Sequence, residues 1–325
     1  MRDVPDLTDA QVQTLNRKLY EMEPWIFFQQ RLAHLMLAAD QDRYRAIFQE
    51  GVSAGGVTLR IESSRDEPPT PEQSIVAIES EVLLHHSSET LLRFVHAHAG
   101  PSASPWVRMA SLTSHKKFKS WVAAAILDAP DEDLLRLCEE TFAVESSRAD
   151  GLDACASYLR LLGTHFVDAD SYNAAKYGMG LRGGNHRLGL EIDGWRVLDC
   201  DGVTVDWLAC WPRDDPEQAP RWTQVSRFLD QDATIALIYT ATMLMRSIWI
   251  RGRARHLSEP LEKVYRPTPP DDLFASRGLR HHVIADVYEP FPADGETPHL
   301  HFVSANLRAP PETEENARPD KPTMD

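Results

Sequence analysis

The chain has little lysine and little cysteine, and it lacks most of the short motifs that would announce a chemistry. Its 325 residues carry 34 Lys and Arg, of which only seven are Lys, against 49 Asp and Glu, for a net charge of -15. A broad nucleic-acid or anionic-membrane binder is disfavoured by that balance, because such proteins neutralise phosphates with clustered cations. RNA as a partner is therefore disfavoured, although a local basic groove is compatible with the total. The four cysteines, Cys138, Cys155, Cys200 and Cys210, form no C-x-x-C pair. The N-terminus, MRDVPDLTDAQ, is polar and acidic where a secretory leader would be apolar, so the reading is reduced thiols in a cytoplasmic protein. H-E-x-x-H, an aspartate-rich calcium loop, G-K-[ST] and G-x-S-x-G are all missing. That removes the sequence grounds for a zincin, an EF-hand, a phosphate loop or a serine hydrolase, and no cofactor is implied.

Long hydrophobic runs are also missing. The best candidate, residues 233–250, offers 13 uncharged residues before Arg246, whereas a membrane span needs about 20 apolar residues. It reads as a buried core helix, with no membrane partner. The Arg251, Arg253 and Arg255 run after it suits a helix C-terminus, where cations meet the negative end of the dipole, and could equally contact a phosphate.

What is present is mostly helical patterning. Thr8 and Gln11 make a capping box at the start of a first helix. A second helix is expected from Trp25 to Gln49, then a short strand or loop in SAGGVTLRI and a Pro-rich linker. Further helices are expected from Pro71–Ser74 to Gly100, and over 111–127, 131–143 and 149–166. Asp193-Gly194 and Asp201-Gly202, lying between alternating apolar runs, predict a three-stranded antiparallel meander over 187–209. A long apolar helix over 225–251 follows, then strand candidates HHVIADVY and HLHFVSANL, which could join the meander. The fold class is therefore α+β: mainly a helical bundle, with a small antiparallel β-sheet in the C-terminal half. The organisation is a helical segment and linker at 1–70, a helical region at 71–180, sheet plus apolar helix at 181–308, and a disordered tail at 309–325.

The richest stretch is Glu79 to His98, ESEVLLHHSSETLLRFVHAH. At helical spacing Glu81, His85, Glu89, Arg93 and His96 share one face, with Leu83, Leu84, Leu91, Phe94 and Val95 opposite. His85 and Glu89 stand at i, i+4, a spacing at which two side chains can reach one metal, so they are the candidate metal ligands of a metal-dependent hydrolase. The same spacing also closes i, i+4 ion pairs on one another, which makes no metal site.

The segment Tyr172-Asn173-Ala174-Ala175-Lys176-Tyr177-Gly178 resembles the Y-N-x-x-K-H-G signature of HEPN-type helical proteins, small bundles found in toxin–antitoxin and phage-defence systems. The resemblance extends over the helical context of residues 75–180, and Tyr177 stands where the pattern has histidine. It implies a partner-binding or regulatory protein, acting through a protein partner or as a homo-oligomer; Tyr172 and Asn173 of this segment, Glu81, His85 and Glu89 of the helix face, and Arg182 beyond them are the candidate binding residues. Active members cleave RNA without metal through an Arg-x4-6-His motif, which implies the alternative of a ribonuclease using Arg93, His96, His98 and Lys176. Four Arg-x4-His spacings occur, Arg93 with His98, Arg160 with His165, Arg251 with His256 and Arg277 with His282, where chance would give about one. Two further clusters complete the reading. The glycine-rich GMGLRGGNHR reads as a loop that could wrap a phosphate around Arg182 or serve simply as a connection, and His282, His299 and His301 could meet across paired late strands.

Overall fold

The computed structural model describes residues 7–40, 42–44, 46, 52–54, 57–59, 71–100, 104–144, 149–176, 180–192, 195–211, 221–261, 267–270, 283–287 and 300–305. It has the α+β architecture, mainly helical, that the patterning predicts. Helix α1 spans Asp9–Tyr20 and is closed by the capping box, with Thr8 N–H donating to Gln11 Oε1 at 2.9 Å. Helix α2 spans Pro24–Ala39, with proline in its first turn; residues 42–44 and 46 are helical again after Asp40, and the rest of the stretch expected to reach Gln49 lies outside the described residues. SAGGVTLRI contains two short strands, β1 (Val52–Ala54) and β2 (Val57–Leu59), paired antiparallel.

The long helix α3 spans Pro71–His98. After it come α4 (Pro105–Ala110), α5 (His115–Val122), which runs on into a π turn over Ala123–Leu127, α6 (Asp131–Thr141), α7 (Ala149–Val167) and α8 (Asp170–Lys176). The second long helix, α9, spans Gln231–Leu257. Its N-cap Asp230 accepts from Ala233 N–H at 2.9 Å, and Ser258 closes it in the left-handed region. By length and composition α9 could cross a membrane, and 61% of its most apolar window is buried inside the protein.

The sheet departs most from expectation. Strands β3 (Leu181–Ile192), β4 (Trp195–Trp211), β5 (Arg221–Phe228), β6 (Val283–Val287) and β7 (Leu300–Ala305) form one antiparallel sheet in that order. The late strands therefore join the earlier ones through β5, a strand where the periodicity pointed to the start of the apolar helix. Ile192 pairs with Trp195, so the first Asp-Gly lies at a two-residue connection. The second Asp-Gly makes no turn: β4 runs straight through it, and Gly202 supplies a φ of 148° that a residue with a Cβ would resist. The glycine-rich segment from Leu181 onward is strand rather than a phosphate-wrapping loop, and Arg182 is an exposed strand residue. Gly183 has a packing reason, since a Cβ there would lie 2.2 Å from Ser74 Cα in the first turn of α3. Ser74 Oγ donates to Gly183 O at 3.1 Å, fastening helix to strand.

Two apolar clusters follow. The large one is helical, with Leu83, Leu84, Leu91 and Val95 of α3 packed with Ile238, Leu244, Met245 and Ile248 of α9, and flanked by α1, α2, α5, α6 and α7. The small one joins Ala77 of α3 to Leu181, Val205, Trp207 and Val225 on the sheet. Helix α3 is thus buried on nearly every side, and its polar row faces protein rather than water. That geometry decides how the candidate residues act.

Candidate functional site

The polar row of α3 falls into two parts. A row of i, i+4 residues drifts about 40° per step around a helix of 3.6 residues per turn, so Arg93 points about 120° away from Glu81. The N-terminal part faces α8 and the sheet, and the C-terminal part faces α5.

At the N-terminal part Glu81 is 2% exposed and meets Arg227 of β5, whose Nη1 lies 3.2 Å from Glu81 Oε1. Arg227 Nη2 donates to Asp168 Oδ2 at 2.7 Å, Nη1 also reaches Ser171 Oγ at 3.3 Å, and the guanidinium lies over the Trp207 ring at 5.3 Å. Burial works against the Arg227 charge, but the two carboxylates outweigh it and its pKa is raised. His165 Nε2 stands 3.5 Å from Glu81 Oε2. Burial lowers the His165 pKa, opposed by Glu81 and reinforced by Arg227.

One turn on, His85 is 1% exposed and stacks on Tyr172 of α8, ring centroids 3.8 Å apart at 11°. Burial above all, then the neighbouring His165, His86, Lys119 and His115, pull its pKa down to about 3, so it is neutral at pH 7. Neither ring nitrogen has a hydrogen-bond partner among the described residues. Its neighbour His86 is fixed in one tautomer. Arg31 Nη1, which can only donate, lies 3.1 Å from Nδ1, so Nε2 carries the proton and donates to Tyr172 Oη at 2.9 Å. Tyr172 of the YNAAKYG segment therefore packs across this part of α3. Asn173 is half-buried and Lys176 exposed at the end of α8, while Tyr177 lies outside the described residues.

The C-terminal part is wetter. Glu89 Oε1 accepts from both Arg93 Nε at 2.9 Å and Arg93 Nη2 at 2.7 Å, with both side chains about a quarter exposed, and Arg93 lies over the Phe118 ring at 4.7 Å. His96 sits edge-on to Trp121 at 4.7 Å. Burial, then Arg108 and Arg93, lower its pKa to about 4. His98 belongs to a different neighbourhood. Its Nδ1 is 2.8 Å from Phe94 O and must be the donor, so Nε2 accepts from Tyr20 Oη at 2.9 Å. Burial lowers its pKa to about 4.

Among the described residues the structure assembles no Arg-x4-His pair. Arg93 is taken by Glu89 while His98 is in the aromatic core. Arg160 turns to Asp131 and Ala129 O while His165 turns to Glu81. His256 stacks with Tyr20 rather than meeting Arg251, and Arg277 with His282 lies outside the described residues. The metal pair is incomplete as well. His85 Nε2 and Glu89 Oε2 are 3.9 Å apart, and no group of three or more His, Cys, Asp or Glu is placed to hold an ion among the described residues. His301 lies on β7 opposite Asp286, whereas His282 and His299 lie outside the described residues.

Sequence reasoning missed Arg227, Asp168 and Ser171, and it singled out His165 only as a partner of Arg160, where the structure sets it beside Glu81. Arg227 was hidden because its strand was read as part of a helix, although Val225 and Arg227, two apart, share a face of the strand. Among known proteins, no family model matches the chain, and no curated protein or solved structure matches it either.

Proposed function

We propose that this chain is a partner-binding or regulatory protein with a HEPN-like helical region, and that it binds through the outer face of α2. The observation that carries this reading is a cluster of exposed apolar side chains on and beside that helix. Phe27 is 57% exposed and Met36 53%, with Ile26 on the same helix, Met22 just before it and Tyr239 of the adjoining α9 also exposed. Gln29 Nε2 reaches Met243 Sδ at 4.0 Å, which places Tyr239, one turn away on α9, beside the α2 surface. Exposed apolar residues met singly are ordinary, but several on one helix and beside it favour an interaction surface, even though Phe27 and Met36, nine positions apart, lie on opposite edges of α2. From Pro24 to Ala39 there is no Asp or Glu at all, in a chain of net charge -15. Two copies repel one another wherever carboxylates meet, so this neutral face suits a second copy of the chain as partner. The defence or toxin–antitoxin setting belongs to the proposal through YNAAKYG alone.

Light scattering across a concentration series tests it. A two-chain mass is expected for the native protein and a one-chain mass for Phe27→Asp with Met36→Asp, their circular dichroism being the same. A one-chain native mass throughout would discard the second copy as partner.

A second reading, metal-independent RNA cleavage, draws on one observation. Burial first lowers the His115 pKa, and Lys119, Arg93 and Lys176 lie near enough to add to that, with Glu89 opposing them. That concentrates cations and imidazoles on the rim between α3, α5 and α8. Cleavage of an RNA oligonucleotide in the presence of a chelator, abolished by His115→Ala, would favour it over the binding reading.

A further inference from the structure

A cavity lies at the C-terminal end of α9. Of the three arginines in the last turns of α9, Arg253 is committed to Glu259 and to Tyr20 O. Arg255 donates to Gly100 O at 3.0 Å and, at 3.4 Å, to His98 O, while Arg108 donates to Ala99 O. The terminal carbonyls of α3 therefore already have cationic partners, and the negative pole of that helix is offset. Arg251, one turn before Arg255 on the same face, makes no ion pair with a carboxylate among the described residues. Both arginines line an open cavity of about 650 Å³ together with Gly100, Glu140, Ala254 and Leu261. Among the described residues Glu140 is the one carboxylate of that lining, and it is occupied in part by Gly100 N–H at 3.3 Å.

We propose that this cavity binds a small phosphate monoester. Its volume falls in the range of about 300–1,000 Å³ that holds small molecules. Among the described lining residues two guanidinium groups stand against one carboxylate, a cationic recess in an acidic chain, and a guanidinium fork matches two phosphate oxygens at once. Arg251 is the primary phosphate ligand, since Arg255 spends part of its donor set on carbonyls. Ala254 and Leu261 give the ligand's uncharged body an apolar wall, and Glu140 can accept from a ligand hydroxyl or amine.

Calorimetric titration of the full chain with AMP and with adenosine, at constant ionic strength, tests the proposal independently of the α2 surface. AMP is expected to bind and adenosine, which lacks the phosphate, is not. Arg251→Ala should weaken AMP by about tenfold or more, and Arg251→Lys, which keeps the charge but loses the fork, by less. Glu140→Gln keeps an acceptor for Gly100 N–H and removes the repelling charge, so it should tighten AMP binding, and it carries the test if the Arg251 variants fail to fold. Equal binding of adenosine and AMP, unchanged binding in a folded Arg251→Ala, absence of any AMP binding, or weaker binding in Glu140→Gln would each overturn it.

Discussion

Two arginines meet α3 in similar ways and with different consequences. Arg227 and Arg93 each pair with a glutamate of that helix, and each lies over an aromatic ring, Trp207 in one case and Phe118 in the other. Arg227 and Glu81 are both about 2% exposed, whereas Arg93 and Glu89 are about a quarter exposed. The difference teaches that the residue pair is not the unit of energy. A buried pair has given up its hydration, so each partner depends on the other, while a half-exposed pair can fall back on water.

The most severe way to break this contrast is Arg227→Met, which strips Glu81 of its guanidinium inside a dry interface. A loss of about 3–5 kcal/mol is expected in urea unfolding. The double change with Glu81→Leu should recover most of it, and failure to recover would mean that Arg227 matters for reasons other than this pair.

Acid comes next. His98 has a folded pKa of about 4 against an ordinary 6.5, and His96 and His85 are lowered in the same sense. The unfolded chain therefore binds more protons than the folded one between those values. Stability is fully present above pH 6.5 and is lost as pH falls, by about 3 kcal/mol at pH 4 through His98 alone. Unfolding midpoints measured from pH 7 down to 4 check this, and His98→Gln should flatten the slope.

Gly183→Ala attacks the joint between α3 and β3 at the sheet end of the row. The added methyl meets Ser74 backbone, so the loss should be about 1–3 kcal/mol, read by thermal unfolding. The mildest change is Arg93→Ala at the wet end, where about 0–1 kcal/mol is expected and high salt should shrink it further. A loss there as large as that of Arg227→Met would erase the distinction between the two ends.

The sequence announced α3 well, and it placed Glu81, His85, Glu89, Arg93 and His96 on one nominal face. Two facts about that face were not legible. A straight wheel hides the slow rotation of an i, i+4 row, which hands Glu81 to the sheet and Arg93 to α5. Nor does a polar row say whether water or protein covers it; here the cover comes from Tyr172 on α8 and Arg227 on β5, up to 146 residues away in sequence. The Asp-Gly rule identified the β3–β4 connection but failed at Asp201-Gly202, where long pairing on both sides of β4 outweighed local turn preference. The strand β5 was absorbed into the helix because its eight residues precede a strongly apolar run without a glycine or proline between them.

The nearly complete enclosure of α3 also sets an order of events during synthesis. The helix leaves the ribosome long before α9 and the sheet that enclose it, and the ties that secure it, Ser74 to Gly183 and Arg227 to Glu81, span 109 and 146 residues. Until those segments emerge, α3 has apolar residues on several sides and few neighbours to cover them. The nascent chain is therefore most exposed to aggregation in that interval, and a ribosome stalled before Gln231 would display a sticky helix that the finished protein conceals.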